Sequence, residues 1–139
     1  MLKERLTYID FDGRERTEDF FFYLSKAEVL ELNLGTTGGL EKLLQKIVDA
    51  QDNIKIYDLF KEIIRKSYGE KSLDGKYFIK KAPDGHLLAD DFEQTEAFSE
   101  LIVRIMGNIN EAAAFIKGIL PQELQNNVDT SNIVELPHK

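Results

Sequence analysis

Three stretches of the chain repeat one spacing of apolar residues. Leu40, Leu43, Leu44, Ile47 and Val48 sit at offsets 0, 3, 4, 7 and 8. Ile56, Leu59, Phe60, Ile63 and Ile64 have the same offsets, as do Phe98, Leu101, Ile102, Ile105 and Met106. On a helix this spacing lines the apolar groups along one stripe, so each segment must bury one face. Ile109, Ala112, Ala113, Ile116 and Ile119 come close to it. The intervening polar residues do not match, so this is not an internal repeat. The pattern predicts helices over about 40–50, 54–67, 92–106 and 109–120. Asp91 with Gln94 starts the third, Gly107 separates the last two, and Pro121 follows the last.

A further short helix is expected over 26–34. Ser25-Lys26-Ala27-Glu28 is a capping box, in which the Ser25 hydroxyl accepts from the Glu28 amide and the Glu28 carboxylate accepts from the Ser25 amide. Gly35 to Gly39 ends that helix. Before it, residues 3–24 read as a β-hairpin reversed at Asp12-Gly13, since both residues tolerate positive φ. In its second strand Phe20, Phe22 and Leu24 point one way, and Phe21 and Tyr23 the other. The expected fold is α+β, mainly α: an N-terminal β-hairpin followed by about five helices in a small bundle. Residues 1–121 form the single domain of this reading, and 122–139 a polar, flexible tail with an extended piece at 133–136.

The connector Ser67–Lys81 carries chain-reversal chemistry at Gly69 and Asp74-Gly75, while Tyr77, Phe78 and Ile79 read as an anchor onto the fold. Residues 76–81 suit a short strand or an extended segment, and the sequence does not decide whether they add a third strand to the hairpin.

A chain of 139 residues without cysteine needs no disulfide staple and has no thiolate chemistry. The net charge of −7 is uneven: residues 1–81 hold 15 basic and 15 acidic side chains, and residues 82–139 hold 3 and 10. Nucleic-acid binding rests on Lys and Arg neutralising phosphates, so an acidic chain with one local pair, Lys80-Lys81, is not expected to bind it. No apolar run approaches membrane-span length, and Met1 to Leu6 has no apolar leader core. A soluble intracellular protein without membrane contact is the expectation.

Candidate chemistry fails residue by residue. His86 lies in a turn and His138 near the chain end, neither with a partner at metal or catalytic spacing, so both read as solvated. Asp10, Asp12 and Gly13 miss the calcium-loop spacing, because the glycine falls at position 4 of the loop, not 6. Asp90-Asp91 suits a helix N-terminus. Gly35–Gly39 lacks the Gly-Lys-Ser/Thr end of a phosphate loop. Ser67 has no base. No catalytic, metal or cofactor site is expected. What stands out is Phe20-Phe21-Phe22-Tyr23. Either the sheet is covered on both faces or paired with a sheet elsewhere in the fold, or Phe21 and Tyr23 form an exposed apolar patch for another protein.

Several segments, in order, carry a resemblance: Leu6 to Glu28, Thr36-Thr37-Gly38-Gly39-Leu40 with the helix after it, Tyr68 to Lys80, Gln94 to Leu101, and Ala112 to Pro121. Together they resemble the phage tail assembly chaperone family over about residues 4–121. Ala82 to His86 departs from it, and the residues after Pro121 have no counterpart. The resemblance implies a non-catalytic protein of the infected host cytoplasm that binds the long tape measure protein before the tail tube polymerises. The resemblance brings no catalytic residues with it; self-association is a separate expectation, from an edge strand that could pair with another copy. Two other roles stay open: a structural tail component retained in the virion, and a host-directed interaction protein. Phe21 and Tyr23, with the acidic C-terminal part, are the expected contacts to the tape measure or to another copy.

Overall fold

The computed structural model describes residues 1–31, 45 and 53–125. The helix expected over 40–50 and the glycine-rich break before it lie outside them, Gln45 apart, as do residues 126–139. Strand β1 (Leu2–Ile9) and strand β2 (Glu15–Phe22) pair antiparallel from Leu2↔Phe22 to Ile9↔Glu15. The reversal between them is built on Asp10. Its Oδ1 accepts from the amides of Asp12 and Arg14 at 2.9 Å each, and its Oδ2 takes Arg16 Nε at 2.7 Å. Gly13 adopts φ 80°, which a side chain resists. The Asp10 carboxylate is therefore spent on the turn, and these bonds hold it below the usual carboxylate range, Arg16 first.

Helix α1 (Lys26–Glu31) begins at the capping box. The Ser25 amide donates to Glu28 Oε1 at 2.9 Å and the Glu28 amide to Ser25 Oγ at 3.2 Å. Helix α2 (Asn53–Ser67) then runs without a loop into strand β3 (Tyr68–Lys71), and strand β4 (Phe78–Ile79) follows. Helices α3 (Leu88–Glu93), α4 (Glu96–Gly107), α5 (Ile109–Ile119) and α6 (Gln122–Gln125) complete the order. One helix was expected over 92–106; two form, parted at Gln94-Thr95. The start of the expected tail is helical and seats Leu124 against the core.

The expectation of a mainly helical bundle with one hairpin is corrected. The described chain has a four-stranded antiparallel sheet, in order β1-β2-β3-β4, with six helices beside it. The added strands come from the connector. β3 pairs with the end of β2 through Phe21↔Gly69 and Phe22↔Tyr68, and the Tyr23 amide extends this to Ser67 O at 2.7 Å. β4 pairs with β3 through Glu70↔Ile79 and Lys71↔Phe78. Tyr68 to Lys71 has no alternating apolar pattern; its strand state comes from these partners.

The core lies between one face of the sheet and the helices. Leu6, Tyr8, Phe22 and Leu24 are buried there with Phe60, Ile63, Ile64, Leu101, Ile105 and Ile116. Phe92 of α3 closes an aromatic cluster, stacking on Tyr68 at 4.5 Å and meeting Phe20 at 5.0 Å, Phe22 at 5.8 Å and Phe98 at 5.9 Å. Tilted rings at such distances add to what area burial alone provides. Burial in this cluster pushes the Tyr68 phenol up to about 12. At the other end α5 approaches β1 over Gly118, where a Cβ would come within 2.9 Å of Leu2. Arg104 of α4 donates to Glu4 of β1, and Arg65 of α2 binds Asp90 at 2.5 Å and Glu93 at 2.9 Å of α3.

Candidate partner-binding face

Strand alternation divides β2 as its residues require. Phe20 and Phe22 turn to the helices, and Phe21 and Tyr23 turn to the opposite, outer face. Over most of the hairpin that outer face is polar. Arg5 Nε meets Asp19 Oδ1 at 2.8 Å, and the Thr7 and Thr17 hydroxyls meet at 2.9 Å. At the base of the hairpin it becomes aromatic. Phe21 and Tyr23 are half-buried there, and neither packs against the hydrophobic core of the described residues.

Gly69 explains how the patch extends to β4. It lies opposite Phe21, and a Cβ there would come 2.5 Å from Phe78 Cε2 and 2.6 Å from Ile79 O. The missing side chain lets Phe78 lie over β3 and meet Tyr23 edge-on at 5.9 Å. The turn from Ser72 to Tyr77 completes the rim. Ser72 Oγ donates to Asp74 Oδ1 at 2.7 Å, Asp74 Oδ1 accepts from the Lys76 amide at 3.0 Å, and Ser72 Oγ accepts from the Tyr77 amide at 3.0 Å. Gly75 takes φ 77°. This fixed turn carries Leu73 fully into solvent and leaves Tyr77 59% exposed. Between Tyr23, Tyr77 and Phe78 runs an open groove of about 630 Å3, flanked by Lys71 and Lys76. Of the three residues read as an anchor, Phe78 alone is half-buried; Tyr77 and Ile79 are exposed.

Beneath the groove, Lys80 knots four segments. Its ammonium donates to Tyr23 O at 2.8 Å, Lys66 O at 2.7 Å, and Glu28 Oε1 and Oε2 at 2.7 and 2.6 Å. Burial lowers the Lys80 pKa from its ordinary value, and Glu28 opposes that shift. Burial also works against the Glu28 charge, but the bonds from Lys80 and the Ser25 amide outweigh it and hold this carboxyl below the usual range. Charge-assisted bonds of this kind are the strong ones, and they tie the residues just past β2 and β4 to α1 and α2.

The other sequence candidates fall elsewhere. Ser67 is fully buried at the helix–strand junction, with Oγ donating to Ile63 O at 2.8 Å. His86 is not a simple solvated turn residue: Nδ1 lies 2.5 Å from Asp84 and Nε2 lies 2.9 Å from Asp91. Those two carboxylates raise its pKa, Asp91 foremost, and the three residues clip the turn onto α3. Sequence reasoning missed this clip and missed the Lys71 and Lys76 rim. The Asp84-Gly85-His86 turn was the available signal for the first, and nothing local signalled the second. Among the described residues no cluster of His, Cys, Asp and Glu is set to hold a metal, and no helix is long and apolar enough to cross a membrane.

A family model described as phage tail assembly chaperone matches residues 1–138. Comparisons with curated proteins and with solved structures give no match.

Proposed function

The chain belongs to the phage tail assembly chaperone family, and from that membership we propose that it binds the tape measure protein before the tail tube polymerises. The binding is non-catalytic and takes place in the cytoplasm of the infected host. Phe21 and Tyr23 carry the contact, within a binding unit spanning residues 1–121. The observation that supports this reading is the aromatic outer face at the base of the hairpin, where half-buried Phe21 and Tyr23 continue into Phe78 and the exposed Tyr77. Contiguous apolar surface on a soluble protein marks an interaction site. A long helical partner with apolar stripes gains by having those stripes covered, as when an amphipathic helix lies in a groove.

Co-expression of the tape measure protein with the Phe21→Ala/Tyr23→Ala chain tests the reading. The expected result is loss of the co-purified complex and more aggregated tape measure. Undiminished co-purification would overturn the placement of the contact. Mass spectrometry of purified virions tests the role itself: absence from mature tails is expected, and abundant copies there would make the protein a structural component. Sedimentation of the wild type and the double variant tests self-association through the same face.

A further inference from the structure

We infer that the outer face selects an acidic apolar segment: a stretch of the partner carrying carboxylates beside its apolar residues. This inference rests on the proposed docking at Phe21 and Tyr23 and names the chemistry that the face accepts.

The aromatic floor is bordered by lysines. Lys3 pairs across the ladder with Phe21 and shares its face. Lys71 pairs with Phe78 and shares that face. Lys76 stands 5.5 Å from the Tyr77 ring on the far rim. All three are exposed, and none forms an ion pair among the described residues. Lys71 donates only to Ser72 O at 3.1 Å. The acidic groups nearby are already engaged. Asp19 feels Lys3 but is bonded to Arg5 at 2.8 Å. Glu28 is bound by Lys80 at 2.6 Å. Asp74 holds the Ser72–Tyr77 turn. Glu70 alternates to the other face of β3 from Lys71. The face is thus locally positive on a chain whose net charge is −7. An aromatic floor with unpaired cations at its edges complements an apolar stripe flanked by carboxylates, and each flanking charge adds to selectivity more than to raw affinity.

The test uses the full chain and two synthetic amphipathic peptides with an identical leucine stripe, one flanked by glutamates and one by lysines. Binding is followed by NMR shifts of the Tyr23 and Tyr77 rings. The glutamate peptide is expected to bind on the order of tenfold tighter, a few exposed pairs acting together. That preference should shrink in high salt, because exposed charges are screened. Lys71→Glu/Lys76→Glu should reverse it. Lys3→Gln/Lys76→Gln, a milder variant, should abolish it should the reversal variant fold poorly. Equal affinities, or a preference that survives both variants, would overturn the inference. Equal affinities that both fall with Phe21→Ala/Tyr23→Ala would leave the docking reading standing. Peptide binding indifferent to Phe21→Ala/Tyr23→Ala would sink the docking reading itself. Binding of neither peptide, with a dimer that Lys71→Glu/Lys76→Glu dissociates, would give the face to a second copy and overturn the inference.

Discussion

The two faces of the sheet use the same material to opposite ends. Phe20 and Phe22 on one side, and Phe21 and Tyr23 on the other, are consecutive residues at the end of β2, with Tyr23 just past it. On the inner side Phe92 arrives from α3 and four rings close around it. On the outer side Phe78 arrives from β4 by way of Gly69, and among the described residues the packing stops at one layer. Aromatic content therefore does not distinguish core from surface here. What distinguishes them is whether a second element comes to complete the burial.

Removing that second element on the inner side gives the largest effect. Phe92→Ala should cost about 3–5 kcal/mol, the usual range for emptying a buried ring site, read by urea denaturation; a loss under about 1 kcal/mol would mean the cluster is not what holds α3 to the sheet. On the outer side, Gly69→Ala should cost roughly 1–3 kcal/mol by driving a Cβ into Phe78 and the Ile79 carbonyl. Amides of residues 78–80 should then exchange faster, and unchanged exchange would mean that β4 is held by some contact other than the close approach at Gly69. The knot below this face comes next. Glu28→Gln should cost about 1–3 kcal/mol, since it weakens the partner of a charged donor, and should flatten the acid limb of the stability curve. The sign follows from the lowered folded pKa of Glu28: its contribution is present above the ordinary value of 4.5 and is lost as pH falls through the folded value. A wild-type curve with the same acid limb as the variant would remove Glu28 from the account. The smallest change is expected for Phe21→Ala, about 1 kcal/mol or less, as for a half-covered surface residue. A loss matching that of Phe92→Ala would abolish the contrast between the faces.

Much of this was legible. The Asp12-Gly13 reversal, the Ser25–Glu28 capping box and the stripe ending in Ile63 and Ile64 are local signals, and the chain obeys them. The alternation that turns Phe21 and Tyr23 outward is equally local. The sheet's other half was legible only in part: a short strand within 76–81 was one of two readings, and β4 falls there, but β3 carried no local signal. Tyr68-Gly69-Glu70-Lys71 becomes a strand where β2 offers it a ladder, and β4 is two residues long. Helix α3 was hidden for a related reason: Leu88 to Glu93 is short and two of its residues are consecutive aspartates, so its place depends on Phe92 and on Arg65 reaching across from α2. For the candidate face, Phe21 and Tyr23 were readable in the strand, whereas Phe78, Lys71 and Lys76 join them only through strand pairing and a turn fixed by Ser72 and Asp74.

The direct passage from α2 into β3 at Ser67 has a mechanical meaning. With no loop between them, helix and strand are one continuous backbone, and Ser67 is bonded in both directions, from its hydroxyl to Ile63 and from Tyr23 to its carbonyl. Gly69, at the floor of the outer patch, is two residues beyond. A pull on the patch is thus transmitted to the axis of a 15-residue helix without slack. The β3 end of the face is thereby tied to the same backbone that fills the core through Ile63 and Ile64.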